Sequence, residues 1–297
     1  VLVATGSAHG EGTTGDIQIG SGTSRLGRAG DRLIRVGSSG SGDGASFVIE
    51  AGHSTREVGG ALQLSSGEGE EGSGNVRLFS PGSKQQGASS GNIVIGSGST
   101  IAGSVGSVAI VGGSAYGDTG TGGAVSFEGG EGGRGGDVNI AAGASRATSG
   151  GDVNVVSGAT TAVGNNTGTV SVGSAHARAI DSDSGNVVIG SGESTAGFSG
   201  HVRLHSGDSP TSGAGSVDVS VGGSGSGRGA PLRVAAGSTT GVHAAGGDIV
   251  VSSGSSELAA SGRIIVGTPA GESSGDIVLN TGSASYGTAG NIALLAG

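Results

Sequence analysis

Two pentapeptides have the spacing of a serine nucleophile, Gly87-Ala88-Ser89-Ser90-Gly91 and Gly271-Glu272-Ser273-Ser274-Gly275. In hydrolases the glycine–x–serine–x–glycine turn lifts the hydroxyl out of a strand-to-helix corner towards a base. Here both end on a glycine that opens a repeat, no strand–turn–helix context surrounds them, and a chain with 71 glycines among 297 residues produces such matches by accident. His201, Arg203 and His205 alternate along one extended stretch, so two imidazoles share a face that could hold a metal. A third ligand is missing, and the row reads as a solvated face. The lone lysine, Lys84, follows Ser83 without the glycine run that cradles a phosphate. Glu68, Glu70 and Glu71 form a small acidic cluster that reads as a solvated loop. No catalytic, cofactor-binding or metal-binding residue is assigned, and the chain is not read as an enzyme.

The most regular polar feature is an Asp or Asn just before an aliphatic residue: Asp16, Asn75, Asn92, Asp137, Asp152, Asn186, Asp248, Asp276 and Asn291. Such a row could ligate calcium, as in the β-rolls of repeat-in-toxin proteins. Those rolls carry a denser aspartate pattern, whereas here many copies substitute Ser, Ala, His, Thr or Arg. Turn capping by the Asx side chain, with amide ladders between stacked coils, is the expected role, and calcium stays as the alternative. Asn165-Asn166-Thr167 is a single glycosylation sequon, meaningful only in a secreted eukaryotic protein, so attached glycans remain open.

Composition sets the wider limits. Cysteine, methionine and tryptophan are absent, aromatic residues make up 2% of the chain and charged residues 12%. Disulfide frameworks and cysteine-ligated zinc are excluded, and no apolar run is long enough to span a membrane as a helix. The net charge of −9 is thinly spread and the arginines are scattered singly. There is no basic patch for a nucleic-acid backbone and almost nothing to stack on bases. Glycine does not recur at every third position, which excludes collagen, and its abundance argues against helices.

The elements that carry all these residues come from one repeat, Gly-(Asp/Asn/other)-h-x-h-x-small-Gly, with h aliphatic or Phe. Gly91-Asn92-Ile93-Val94-Ile95-Gly96-Ser97-Gly98 and Gly136-Asp137-Val138-Asn139-Ile140-Ala141-Ala142-Gly143 are clear copies. The first h falls at Val1, Ile17, Ile34, Phe47, Leu62, Val76, Ile93, Val108, Val125, Val138, Val153, Val170, Val187, Val202, Val217, Leu232, Ile249, Ile264, Ile277 and Ile292. The second h, from Val3 to Leu294, is again Val, Ile, Leu or Phe. Alternation puts both aliphatics on one face of an extended strand, with a small residue such as Ser97, Ala142 or Ser191 following on that face. The glycines at both ends are expected to provide positive φ or close backbone approach. Copies are mostly spaced so that their lengths differ by two residues, which keeps every side chain on its face.

A strand with two aliphatics cannot fold alone, so the expected fold is all-β: a β-solenoid of parallel stacked coils, about 20 strand repeats roughly 15 residues apart. Two repeats per coil is preferred, because facing aliphatic strands then cover each other; one repeat per coil is the alternative. Residues 1–297 read as a single continuous array. Val1 and Gly297 both fall inside the pattern, so the chain is expected to be a fragment of a longer or polymerised protein.

Ser-Gly-Asn-Val-Val-Ile-Gly-Ser-Gly (184–192) and Ser-Gly-Asp-Ile-Val-Leu-Asn-Thr-Gly (274–282) resemble the Ser/Gly-rich tandem repeats of large secreted or cell-surface proteins of unicellular algae such as diatoms and related protists. The resemblance implies an extracellular or cell-surface location and a structural or adhesive role, and it brings no active-site residue. The expected function is a subunit or segment of an extracellular filament, sheath or adhesive. Its principal partner is itself, associating head to tail or laterally through stacked β-coils. Nucleic acid and a membrane span are not expected, and no cofactor is required. The alternatives are a surface-binding module for ice, carbohydrate or a mineral, and a calcium-dependent β-roll adhesin. Ice binding would need a regular Thr or Ser array at the outward central positions, which instead mix Gln18, Arg77, Val94 and Asn154.

Overall fold

The structure is a computed structural model that describes residues 1–117 and 119–295; Asp118, Ala296 and Gly297 lie outside the described residues. The expected end of the pattern at Gly297 therefore lies outside them too. The chain divides into two units, Val1–Asp152 and Val153–Gly297. Both are built from the same alternation of a short extended segment and a loop.

The β-solenoid is not what forms. Among the described residues there is no helix and no strand, and no side chain is buried. Main-chain hydrogen bonds are few and confined to the loops, whereas a folded domain has roughly two for every three residues. The accessible area is 29803 Å², against about 11,000 Å² for a compact protein of this mass. The alternating β-branched residues that predict strands form none among the described residues, and no ladder joins one segment to another. Neither coil size is therefore realised.

A glycine-rich chain with two aliphatics per copy does not recover the backbone entropy that ordering a ladder costs, and the loops set the segments apart. Each loop is an excursion between an opening residue, five positions after the first aliphatic, and a closing residue, two positions before the next. In eight loops where both are glycine, the closing N–H donates to the opening carbonyl: Gly60 to Gly52, Gly74 to Gly67, Gly123 to Gly113, Gly136 to Gly130, Gly151 to Gly143, Gly168 to Gly158, Gly247 to Gly237 and Gly262 to Gly254, at 2.8–3.0 Å. The closing residue follows the opening one by six positions in 130–136, seven in 67–74, eight in 143–151 and ten in 158–168. All variation in repeat length is absorbed there. A copy laid on its successor would match along the segment and mismatch at the loop, because successive loops mostly differ in length. The even spacing preserves the facing of the side chains, as the sequence implied, yet it does not let unequal loops stack.

Glycine at the closing position answers to space rather than to φ. A Cβ on Gly123 would stand 3.0 Å from the Gly113 nitrogen, and on Gly136 or Gly60 3.1 Å from the nitrogens of Gly130 and Gly52. The small residue before the opening glycine has the same origin. The Cβ atoms of Ser157, Ser191, Ser253 and Ala142 lie 3.3–3.5 Å from where a closing-glycine Cβ would be. At Gly112 and Gly129, which occupy this small-residue position, an added Cβ would run into the carbonyl oxygens of Gly123 and Gly136. Two backbones meet at each neck with room for one small side chain. G123V should therefore open the 113–123 loop while T121V, two residues earlier in the same loop, leaves it closed, read as faster amide exchange at residue 123 in the first variant only.

Candidate functional site

The residues that stand out in the structure are the aliphatic row and the loops that space it. In the copy at 91–98 the first aliphatic, Ile93, is 49% exposed, the second, Ile95, 67%, the outward Val94 89%, and Ile101 in the following loop is fully exposed. The same order holds for Val187, Ile189, Val188 and Phe198, and for Ile249, Val251, Val250 and Leu258. The two faces inferred from alternation are thus distinct. The inward face is the more covered one, most of all beside the neck, but about two-fifths or more of each side chain stays open. Apolar surface is thus open to solvent on copy after copy.

The loops hold their shape with a hydroxyl at the second position after the opening residue. In the eight-residue loops Ser54, Ser145, Ser194 and Ser256 accept the N–H of Glu57, Thr148, Gly197 and Ala259 at 2.8–3.0 Å. In two loops whose fifth position is a glycine with positive φ, the hydroxyl turns round and donates: Thr100 to the Ala102 carbonyl beside Gly103, and Ser224 to the Ser226 carbonyl beside Gly227. In ten-residue loops Ser83, Thr160 and Thr239 accept from Gln85, Ala162 and Gly241. There the N–H at the seventh position bonds back to the fourth carbonyl, as in Ala88 to Gln85, Asn165 to Ala162 and Ala244 to Gly241. The sixth position carries positive φ at Gly87, Gly164, Asp181 and His243, the last two being residue types that bear it at a cost.

These hydroxyls replace the expected caps. None of Asp16, Asn75, Asn92, Asp137, Asp152, Asn186, Asp248, Asp276 or Asn291 makes a side-chain hydrogen bond within the described residues. Sequence reasoning missed the Ser/Thr caps because the repeat unit was read only as far as the opening glycine; the hydroxyl column stands two positions beyond it. The Asx row lies one residue past the closing position, outside the loop it was expected to cap.

The other chemistry-bearing residues stay apart. Among the described residues no three His, Asp or Glu side chains come together as a metal site. His201 and Arg203 make no ion pair or side-chain hydrogen bond, and the His205 Nδ1 lies 3.1 Å from the Ser206 carbonyl. Far-ultraviolet spectra in millimolar calcium and in excess chelator should superimpose; a calcium-dependent change would return the Asx row to ligand duty. Ser89 and Ser273 sit in exposed loops with no imidazole partner. The one ion pair among the described residues, Arg28 to Asp31 at 2.6 Å, is exposed and contributes little. Shallow grooves along Val76–Phe79 and along Arg228, Gly229, Pro231 and Arg233 are each lined by a single short stretch. No helix among the described residues is long and apolar enough to cross a membrane.

Among the described residues the arrangement offers apolar surface with main-chain donors and acceptors. In comparisons with known proteins, no family model, no curated protein and no solved structure matches the chain.

Proposed function

We propose that the protein is a structural one, a self-associating segment of an extracellular filament, sheath or adhesive. The observation that carries this reading is the inward aliphatic row, left half open on copy after copy beside a main chain with unused hydrogen-bonding capacity. Unpaired extended backbone is a template for another chain, and exposed apolar rows are covered by association. The Ser/Gly-rich repeats that resemble those of algal and protist surface proteins supply the extracellular location. A chain without cysteine or methionine also gives a material with little to oxidise.

The test is physical. Purified protein at rising concentration should pass from small particles to filaments or sheets in negative-stain images, with a matching rise in pelletable mass. Particles that remain dispersed and constant in size up to the highest attainable concentration would defeat the proposal.

A further inference from the structure

The docking surface on each segment fits a second copy of this same chain, and the order of the loop lengths tells that copy where to bind. We infer that chains associate in register, each extended segment lying beside the identical segment of its neighbour; the inference rests on the self-association proposed above and adds its register.

Three observations lead there. The segments keep nearly all their main-chain donors and acceptors free. The accessible area of 29803 Å² exceeds that of a compact protein of equal mass by an amount roughly ten times what a stable interface buries. The occupant must also match the loops. Reading from Gly67, the loops 67–74, 81–91, 98–106, 113–123, 130–136 and 143–151 span seven, ten, eight, ten, six and eight positions. A partner displaced by one copy would set a ten-residue loop with its internal turn against an eight-residue loop held by a serine cap. A partner in register meets the same loop, with the same hydroxyl role and the same φ, at every position.

Register by segment sequence alone would be loose, because the segments are near-duplicates. Gly91–Gly98 and Gly185–Gly192 differ only in Ile93 against Val187. Each also follows a ten-residue loop and precedes an eight-residue one. They part company only further out, where 113–123 corresponds to the shorter 207–215 and 67–74 to the longer 158–168. The order along the chain, rather than any single loop, distinguishes them. Like charges do meet in register, as at Glu68, Glu70 and Glu71, but these side chains stand exposed in a loop, where they can splay apart and water weakens their repulsion.

The absence of cysteine gives a direct test. V94C and V188C place one thiol each at equivalent, exposed, outward positions of those two segments. Adjacent in-register strands stand about 4.8 Å apart, within the range a disulfide can bridge. The two variants, one carrying a mass tag, are mixed, assembled at high concentration and oxidised. Links of 94 to 94 and 188 to 188, with 94-to-188 links at least tenfold scarcer, are the expected result. Links of 94 to 188 in comparable yield would overturn the register while leaving self-association standing. Assembly confirmed by pelleting but with neither homotypic link would likewise overturn it. Failure to pellet at all would sink the underlying function instead, and the register with it.

Discussion

In the dispersed chain, amides of the extended segments should exchange with solvent within about tenfold of the rate for a free peptide, and heating should reveal no cooperative transition. Segment residues such as Ile93, Val94 and Ile95 make no main-chain hydrogen bond, and no side chain among the described residues is buried. Protection arises from opening free energy, and a segment whose groups already face water has nothing to open. The closing glycines, whose N–H groups are bonded to the opening carbonyls, should be the modest exceptions. After assembly the same segment amides should slow by about a thousandfold or more, as for the interior of a sheet. Exchange read by mass spectrometry before and after pelleting makes the comparison. Strong segment protection in the dispersed chain would mean that the chain completes its own pairing.

The second large effect is a difference between faces. I93D should raise the concentration needed for assembly by about tenfold or more. Full burial of such a side chain is worth about 1.5–3 kcal/mol; roughly half of Ile93 is still open, and an unpaired carboxylate pressed into an apolar contact adds to the loss. V94D, one residue along on the outward face, should shift that concentration by a few-fold at most. Neither variant should alter the spectrum of the dispersed chain, since no core is there to be disrupted. Sedimentation across a concentration series checks both. Equal effects at 93 and 94 would show that the two faces are used alike, and no effect at either would show that the aliphatic row is not the contact.

The loops make these effects separable. A neck closed by Gly123 on Gly113 depends on backbone approach at one point, so a substitution there acts locally. A substitution on the row acts on association. A globular protein does not allow this division, because its loops and core stabilise each other through one packed interior.

The sequence by itself determined the segments and their faces. Ile93, Val94 and Ile95 are β-branched residues in alternation, and chain stereochemistry alone makes such a run extended with neighbours on opposite sides. The sequence left open whether segment would pair with segment, and there the expectation of a β-solenoid is overturned. Pairing depends on whether the contacts two segments make outweigh the entropy of ordering a glycine-rich backbone, a balance that a one-dimensional repeat does not express. The tertiary structure likewise decided what the glycines are for: at the closing positions they admit a backbone at contact distance, while positive φ belongs to glycines inside the loops such as Gly87 and Gly103. It moved the capping role from the Asx row to hydroxyls such as Ser54 and Ser145, because a cap must lie within reach of a free N–H, and reach is set by the path of the loop.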